Sequence, residues 1–276
     1  MIYVILLILG AIQGATEFLP VSSSGHLALS RLIMNQSDTL ALMLETPLML
    51  DILLHVATLA AVALFFRKRI ADAFAGSWRL VKSVSTGAAR QRLATDDGAN
   101  LAVCVVIGTL PTGIMGVIFK DFTETVGSTP WMLGATFFFC SALLFASKFW
   151  PGGAKRLSIG SALIIGIAQG IAVFPGISRS GTTIAVALAL GLRREEAATF
   201  SFLLSLPAIL GAALLEIDVN ALLLDGPIGA YLLGTASAFL IGLVALYSLV
   251  ALVKTGRLWL FAPYLVVVGF YCLSVG

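Results

Sequence analysis

Four side chains of types that work together in catalysis stand inside long apolar stretches: Glu17, Ser23, His26 and Arg179. Gln13 precedes Glu17 by one helical turn, so the two share a helix face. An ionised residue at membrane depth costs roughly 2.5–3.5 kcal/mol and is by default paired and functional. One reading is a purely structural Glu17–Arg179 ion pair. Against it stand Ser22, Ser23, Ser24, His26, Ser178, Ser180, Thr182 and Thr183, more donors than one pair requires. An arginine, many hydroxyls and backbone N–H groups at Gly25, Gly176 and Gly181 suit a tetrahedral oxyanion, above all phosphate. A serine near a histidine suits a nucleophile with its base. Glu17 with the Gln13 amide oxygen suits a hard divalent cation, Mg²⁺ or Ca²⁺, neutralising diphosphate oxygens. No P-loop or dinucleotide fingerprint occurs. Phosphate chemistry in an apolar setting points to a lipid phosphate.

These residues belong to a duplicated string. Gln13-Gly14 leads to Ser22-Ser23-Ser24-Gly25-His26, and Gln169-Gly170 leads to Ser178-Arg179-Ser180-Gly181-Thr182. Laid over one another without a gap, the copies match at Gln13/Gln169, Gly14/Gly170, Ser22/Ser178, Ser24/Ser180 and Gly25/Gly181. Glu17, Ser23 and His26 meet Val173, Arg179 and Thr182 instead. Irregular backbone at membrane depth is tolerated only where protein or water satisfies it, so the copies should line one internal cavity.

Composition requires a membrane setting. Of 276 residues, 59% are hydrophobic and 11% charged, with mean hydropathy +1.03, against about a quarter charged in soluble domains. Uncharged runs of roughly 20 residues, without the alternation of a β-barrel, predict an all-α polytopic fold. The net charge of +3 gives no reason to expect nucleic acid, because the cations follow topology. No basic residue precedes the first apolar run, so that run is expected to be retained. Cys104, Cys140 and Cys272 are widely spaced and apolar in context, hence core residues.

Six spans are expected: about 48–66, 100–119, 131–149, 197–215, 228–253 and 258–275. The stretches 2–33 and 159–192 are too long for one crossing and broken midway, so each should form a re-entrant hairpin. Three spans lie between them, so the second hairpin enters from the opposite face. The chain is then one domain, 1–276, an inverted repeat of about 1–150 and 151–276, each a hairpin plus three spans. Alternate loops carry 14 of the 17 basic residues, with Arg31 and Lys120 opposite and Arg179 in the second hairpin. The crowded side is therefore expected to be cytoplasmic. Asp38, Glu45, Asp121, Glu124, Glu216, Asp218 and Asp225 fall on the other side, and the loop 67–99 has room for a surface helix. Asp51 and His55 begin the first full span. Trp78, Trp131, Trp150 and Trp259 lie near span ends, as interfacial anchors do.

Gln13-Gly-Ala-Thr-Glu17-Phe-Leu-Pro-Val-Ser22-Ser-Ser-Gly-His26 resembles a signature of the undecaprenyl-diphosphatase (bacitracin-resistance) family, and Pro175-Gly-Ile-Ser178-Arg179-Ser180-Gly-Thr-Thr183 is similar to its second signature. The likeness continues through residues 51–59 and 194–207. It implies hydrolysis of undecaprenyl diphosphate to the monophosphate and phosphate, supported by divalent cations. It also implies a multi-pass protein of the bacterial cytoplasmic membrane whose site opens to the periplasmic side, serving peptidoglycan synthesis and bacitracin resistance. By position in the motifs, Arg179 is the phosphate clamp, Glu17 a metal ligand or base, Ser23 the nucleophile and His26 its acid/base partner, with direct attack by water left open. Ser22, Ser24, Ser178, Ser180, Gly181 and Thr183 complete the phosphate cradle. Gln13 stands where the family also admits Glu, which weakens a metal site shared by Gln13 and Glu17. A lipid-phosphate transporter or flippase with the same inverted-repeat cavity is the alternative. Whether a homodimer forms is left open.

Overall fold

A computed structural model describes residues 2–34, 48–216 and 227–275. Thirteen α-helices are described: α1 (Ile2–Phe18), α2 (Ser23–Met34), α3 (Leu48–Phe65), α4 (Arg67–Val84), α5 (Ala89–Thr95), α6 (Asp97–Ile118), α7 (Lys120–Ser128), α8 (Pro130–Ala146), α9 (Ile159–Ile171), α10 (Arg179–Ala189), α11 (Arg194–Glu216), α12 (Ile228–Lys254) and α13 (Ala262–Val275). No strand occurs among the described residues, only an isolated bridge between Lys155 and Leu192. The chain is an all-α protein with five helical segments long and apolar enough to cross a membrane: Asp97–Ile118, Pro130–Phe149, Arg194–Leu214, Ile228–Lys254 and Leu258–Val275. The sixth expected span is helical as α3, although its apolar part, Ile52–Phe65, is shorter. Asp38, Glu45, Asp218 and Asp225 lie outside the described residues.

Both expected helix breaks are present. The apolar limb α1 stops at Phe18, just before Pro20, whose ring disfavours a helical conformation for the preceding residue. α2 then starts beneath Ser22, whose Oγ accepts the Gly25 N–H at 3.2 Å. In the second copy α9 ends at Ile171, and Ser178 caps α10 by accepting the Gly181 N–H, again at 3.2 Å. The matched Ser22/Ser178 and Gly25/Gly181 pairs are thus helix caps that satisfy otherwise orphaned amides.

Small residues let the broken helices approach spanning ones closely. Gly10 and Gly14 of α1 lie against backbone at Gly234, Ala238 and Gly242 of α12, while Gly166 and Gly170 of α9 lie against Gly108 and Met115 of α6. Hydroxyls reinforce both seams: Ser237 Oγ donates to the Leu7 carbonyl at 2.9 Å, and Thr112 Oγ1 donates to the Gly166 carbonyl at 3.0 Å. The three cysteines are buried free thiols, and Cys140 Sγ also accepts the Ser178 N–H at 3.3 Å.

The basic loops meet at one end of the bundle. Arg79 binds Asp96, Arg156 binds Asp97 and the Ala94 carbonyl, the Leu157 N–H reaches Glu196, and Lys254 binds Glu195. The loop 67–99 contains two helices, α4 and α5. Asp96 ends it as the N-cap of α6, accepting from the Gly98 and Ala99 amides, and Arg79 grips the same carboxylate through Nε at 2.7 Å and Nη2 at 3.0 Å. These hydrogen bonds, Arg79 foremost, hold the Asp96 carboxyl down at about 2. A carboxyl so depressed adds stability that is complete above its ordinary value near 4 and disappears as pH falls through about 2. Asp96→Asn should therefore cost about 1 kcal/mol at neutral pH, the size of one cap plus a half-exposed pair. In thermal melts of the purified protein, this deficit should shrink between about pH 4 and pH 2.

Candidate active site

The two helix breaks are interlocked. Ser22 Oγ, besides capping α2, accepts the Gly176 N–H across the interface at 3.1 Å, and Ser180 Oγ donates back to the Phe18 carbonyl at 2.8 Å. Thr136 of α8 donates to the Pro175 carbonyl at 2.6 Å. Gly176 has φ +93°, a region that L side chains rarely adopt, and a Cβ there would strike Thr136. Ser22 is the single non-glycine residue with positive φ, +67°, among the described residues. A strained backbone of this kind persists only when its surroundings over-determine it.

Glu17 sits where the interlocked breaks meet, with only 5% of its side chain exposed. Its Oε1 accepts from Arg179 Nη2 at 2.5 Å. Its Oε2 accepts from Ser23 Oγ and from Gln13 Nε2, each at 3.2 Å. His55 Nε2 lies 4.0 Å from Oε2 and 3.4 Å from the Gln13 amide nitrogen. One carboxylate therefore gathers Gln13, Ser23 and Arg179, with His55 beside them. Ser23 is the first residue of α2 and Arg179 the first of α10. Two helix N-termini, each carrying positive partial charge, thus converge with a guanidinium on one spot, which favours an anion.

His26 is arranged differently. Its Nδ1 is 2.8 Å from the Ser22 carbonyl, and since a carbonyl only accepts, Nδ1 carries the proton. On a neutral ring Nε2 is then an acceptor, and Tyr264 Oη donates to it at 2.6 Å. The His26 and Tyr264 rings are nearly parallel, 4° apart, and Phe137 meets the imidazole edge-on. Ser23 thus bonds to Glu17, while His26 bonds to Ser22 and Tyr264. Tyr264 was missed by sequence reasoning: it lies 238 residues from His26 on a span that carries no motif.

The remaining hydroxyls divide by exposure. Ser24 is exposed and Ser23 and Arg179 are half-buried. Ser22, Ser178, Ser180 and Thr183 are buried, the first three engaged in the caps and cross-links above. Thr183 Oγ1 donates to the Arg179 carbonyl at 2.8 Å and lies 2.5 Å from Ser201 Oγ. Gly181 presses against Pro20 and Leu144, so a side chain there would part the two breaks.

The site's donors for a metal are one carboxylate, the Gln13 amide oxygen, the Ser23 hydroxyl and the His55 imidazole beside them. No group of three His, Cys, Asp or Glu able to hold a metal occurs among the described residues. That set fits a cation shared with substrate, because Mg²⁺ commonly takes one or two carboxylates and fills its shell with phosphate oxygens and water.

Tyr264→Phe removes the donor to His26 Nε2 and keeps the stacked ring. If Tyr264 orients the imidazole for proton transfer, kcat should fall roughly ten- to a hundredfold with KM little changed. Steady-state kinetics on the purified variant checks this, and a rise in KM alone would assign Tyr264 to lipid binding.

Fold and site define a helical membrane protein built around an intramembrane carboxylate–guanidinium pair at the junction of two broken helices. The chain belongs to the bacitracin resistance protein BacA family, whose model matches residues 6–271. It is 43% identical over 267 residues to the undecaprenyl-diphosphatase of Desulfatibacillum aliphaticivorans, covering 95% of this chain and 94% of that protein. It is 41% identical to the protein of that name from Desulforapulum autotrophicum, covering 98% and 96%, and 42% identical to that from Treponema denticola, covering 95% and 93%.

Proposed function

We propose that this chain hydrolyses undecaprenyl diphosphate to undecaprenyl phosphate and inorganic phosphate, recycling the lipid carrier for cell-wall synthesis and so conferring bacitracin resistance. The observation that carries the reading is the Glu17 carboxylate holding a hydroxyl and a guanidinium on its two oxygens. The phosphatase names of relatives that match along nearly their whole length favour it over a transporter.

Arg179 turns from Glu17 to the terminal phosphate, with the α2 and α10 N-termini sharing the charge. Ser23 Oγ attacks the terminal phosphorus and passes its proton to Glu17 Oε2, the acceptor it already bonds. The bond from phosphorus to the bridging oxygen breaks, and undecaprenyl phosphate leaves with that oxygen. Water then attacks the phosphoserine, freeing phosphate and restoring the Ser23 hydroxyl. His26, poised by Ser22 and Tyr264, serves proton transfer in this second step. Glu17 and the Gln13 amide oxygen would hold a divalent cation such as Mg²⁺ or Ca²⁺, which when bound neutralises diphosphate charge. Ser24 adds a phosphate contact. Ser22, Ser178, Ser180, Gly181 and Thr183 act on phosphate through the loop geometry they fix.

We read the fold as an inverted repeat, residues 1–150 and 151–276. Its support is the exchange of partners: the first broken helix seats glycines on α12 and the second seats the matching glycines on α6. With the basic end cytoplasmic, the hairpins are re-entrant, and the site opens toward the outer side of the bacterial cytoplasmic membrane.

The test is phosphate release from undecaprenyl diphosphate by the purified chain, with and without a chelator, beside His26→Ala. Release that fails in the variant is expected, and chelator sensitivity supports the shared cation. Absence of release by the unaltered chain in either condition, with transport of the lipid in proteoliposomes, would replace hydrolysis by transport.

A further inference from the structure

His55 is one of two histidines in the chain, and the mechanism above gives it no task. It belongs to α3, which buries Leu50, Leu54 and Ala57 in a cluster with Leu6 of α1 and Ala230, Tyr231 and Ala238 of α12. Because α1 seats its glycines on the same helix α12, His55 comes to face Gln13 and Glu17. Its side chain is 41% exposed beside a carboxylate that is 5% exposed, so the imidazole stands at the open edge of the site. Three polar atoms form a triangle: Glu17 Oε2 to Gln13 Nε2 is 3.2 Å, Gln13 Nε2 to His55 Nε2 is 3.4 Å, and His55 Nε2 to Glu17 Oε2 is 4.0 Å. The oxygen and nitrogen of a carboxamide are nearly isosteric, so a half-turn of the Gln13 amide puts Oε1 in place of Nε2. All three corners then carry lone pairs. At metal–ligand distances of about 2.1 Å, neighbouring ligands stand about 3.0 Å apart around an octahedral ion and about 3.4 Å apart around a tetrahedral one. Two edges of the triangle already have this length, and a small turn of the half-exposed imidazole closes the third.

We propose that His55 is a third protein ligand of the cation held by Glu17 and Gln13, and that its imidazole makes Mn²⁺ the preferred ion over Mg²⁺ and Ca²⁺. The two oxygens suit all three ions, and the imidazole nitrogen favours the transition ion among them, since Mg²⁺ and Ca²⁺ take oxygen ligands. Glu17 Oε1 stays with Arg179, so the protein covers one face of the ion and leaves the others to water and phosphate oxygens. His26 is the only other imidazole in the chain, and both its nitrogens are engaged, by the Ser22 carbonyl and by Tyr264. Ligation by His55 presupposes the divalent cation proposed at Glu17 and Gln13, but no step of hydrolysis.

The probe is Mn²⁺ alone, added below stoichiometry to the full-length protein in detergent without lipid diphosphate and read by pulsed electron paramagnetic resonance. The protein is purified through a histidine-free tag. Echo modulation from a directly bound imidazole nitrogen is expected, and ¹⁵N-histidine labelling should replace its ¹⁴N pattern with no substitution made in the chain. His55→Gln should abolish the imidazole signal and weaken Mn²⁺ binding at least about tenfold, the loss that even outer partners of a metal ligand show. Ca²⁺, offered an amide oxygen instead, should bind no more weakly than before. His26→Gln should keep the imidazole signal. No Mn²⁺ binding by the unaltered chain, bound Mn²⁺ without a histidine nitrogen, or a signal that His55→Gln keeps and His26→Gln loses overturns the proposal. Nothing turns over in these samples, so the phosphatase reading stands or falls separately. Imidazole-bound Mn²⁺ in a chain that releases no phosphate from undecaprenyl diphosphate would refute hydrolysis and leave the ligand in place, whereas release without ligation by His55 would do the reverse.

Discussion

Arg179→Ala is expected to lower phosphate release from undecaprenyl diphosphate by about 10³-fold or more, the scale on which a single arginine stabilises phosphoryl transfer. Arg179→Lys should recover little of it, since an ammonium offers a point charge where the guanidinium presents a planar fork. The same substitution strands Glu17, buried and without its cation, which costs about 3 kcal/mol when one member of such a pair is removed. Loss of activity alone would therefore not separate chemistry from folding. Combining Arg179→Ala with Glu17→Gln removes both charges, so the double variant should melt above the single one while remaining inactive. Recovery of activity along with stability in the double variant would mean that Arg179 serves only to neutralise Glu17. The measurement is phosphate release paired with thermal unfolding in the same detergent.

The sequence showed where the breaks fall because proline, glycine and serine interrupt otherwise unbroken apolar runs, and breaks at these depths have few uses. It also showed which residues meet: Glu17 and Arg179 were the acid and base of the two copies, and each needed the other. Hydrogen-bond direction was not legible. Ser22, Ser178, Ser180 and Thr183 looked like donors waiting for a ligand, yet a serine two or three residues before a glycine amide is equally a cap, and caps and cross-links occupy these. The proximity of Ser23 and His26 in the chain suggested a pair. On a helix, however, neighbours three apart need not share a hydrogen bond, and the Glu17 carboxylate on the preceding limb was in reach of Ser23. Tyr264 carried no signal at all, because a tyrosine in an apolar span reads as filler until the fold brings it to His26. Asp96 drew no expectation from the sequence, because its grip by Arg79 from 17 residues away depends on α4 folding back over α6.

The second large effect concerns the nucleophile. Ser23→Ala is expected to reduce phosphate release by about 10³-fold or more, because it deletes the attacking oxygen and leaves Glu17 without a proton to accept. Stability should change little: the half-buried Ser23 hydroxyl donates one 3.2 Å hydrogen bond to a carboxylate that keeps Arg179 and Gln13. That contrast distinguishes Ser23 from Ser22, whose Oγ accepts one backbone amide of its own helix and one from the other break, so that Ser22→Ala should lose stability together with activity. Covalent attack makes a further demand. With substrate labelled in the terminal phosphate, rapid acid quenching should trap labelled phosphoserine at position 23 in the unaltered chain, and none in Ser23→Ala. If Ser23→Ala instead retains activity within about tenfold and no labelled protein is trapped, water is the attacking group. Glu17 would then take its proton from water at the Oε2 now occupied by Ser23, and the hydroxyl would serve to position phosphate between that carboxylate and Arg179.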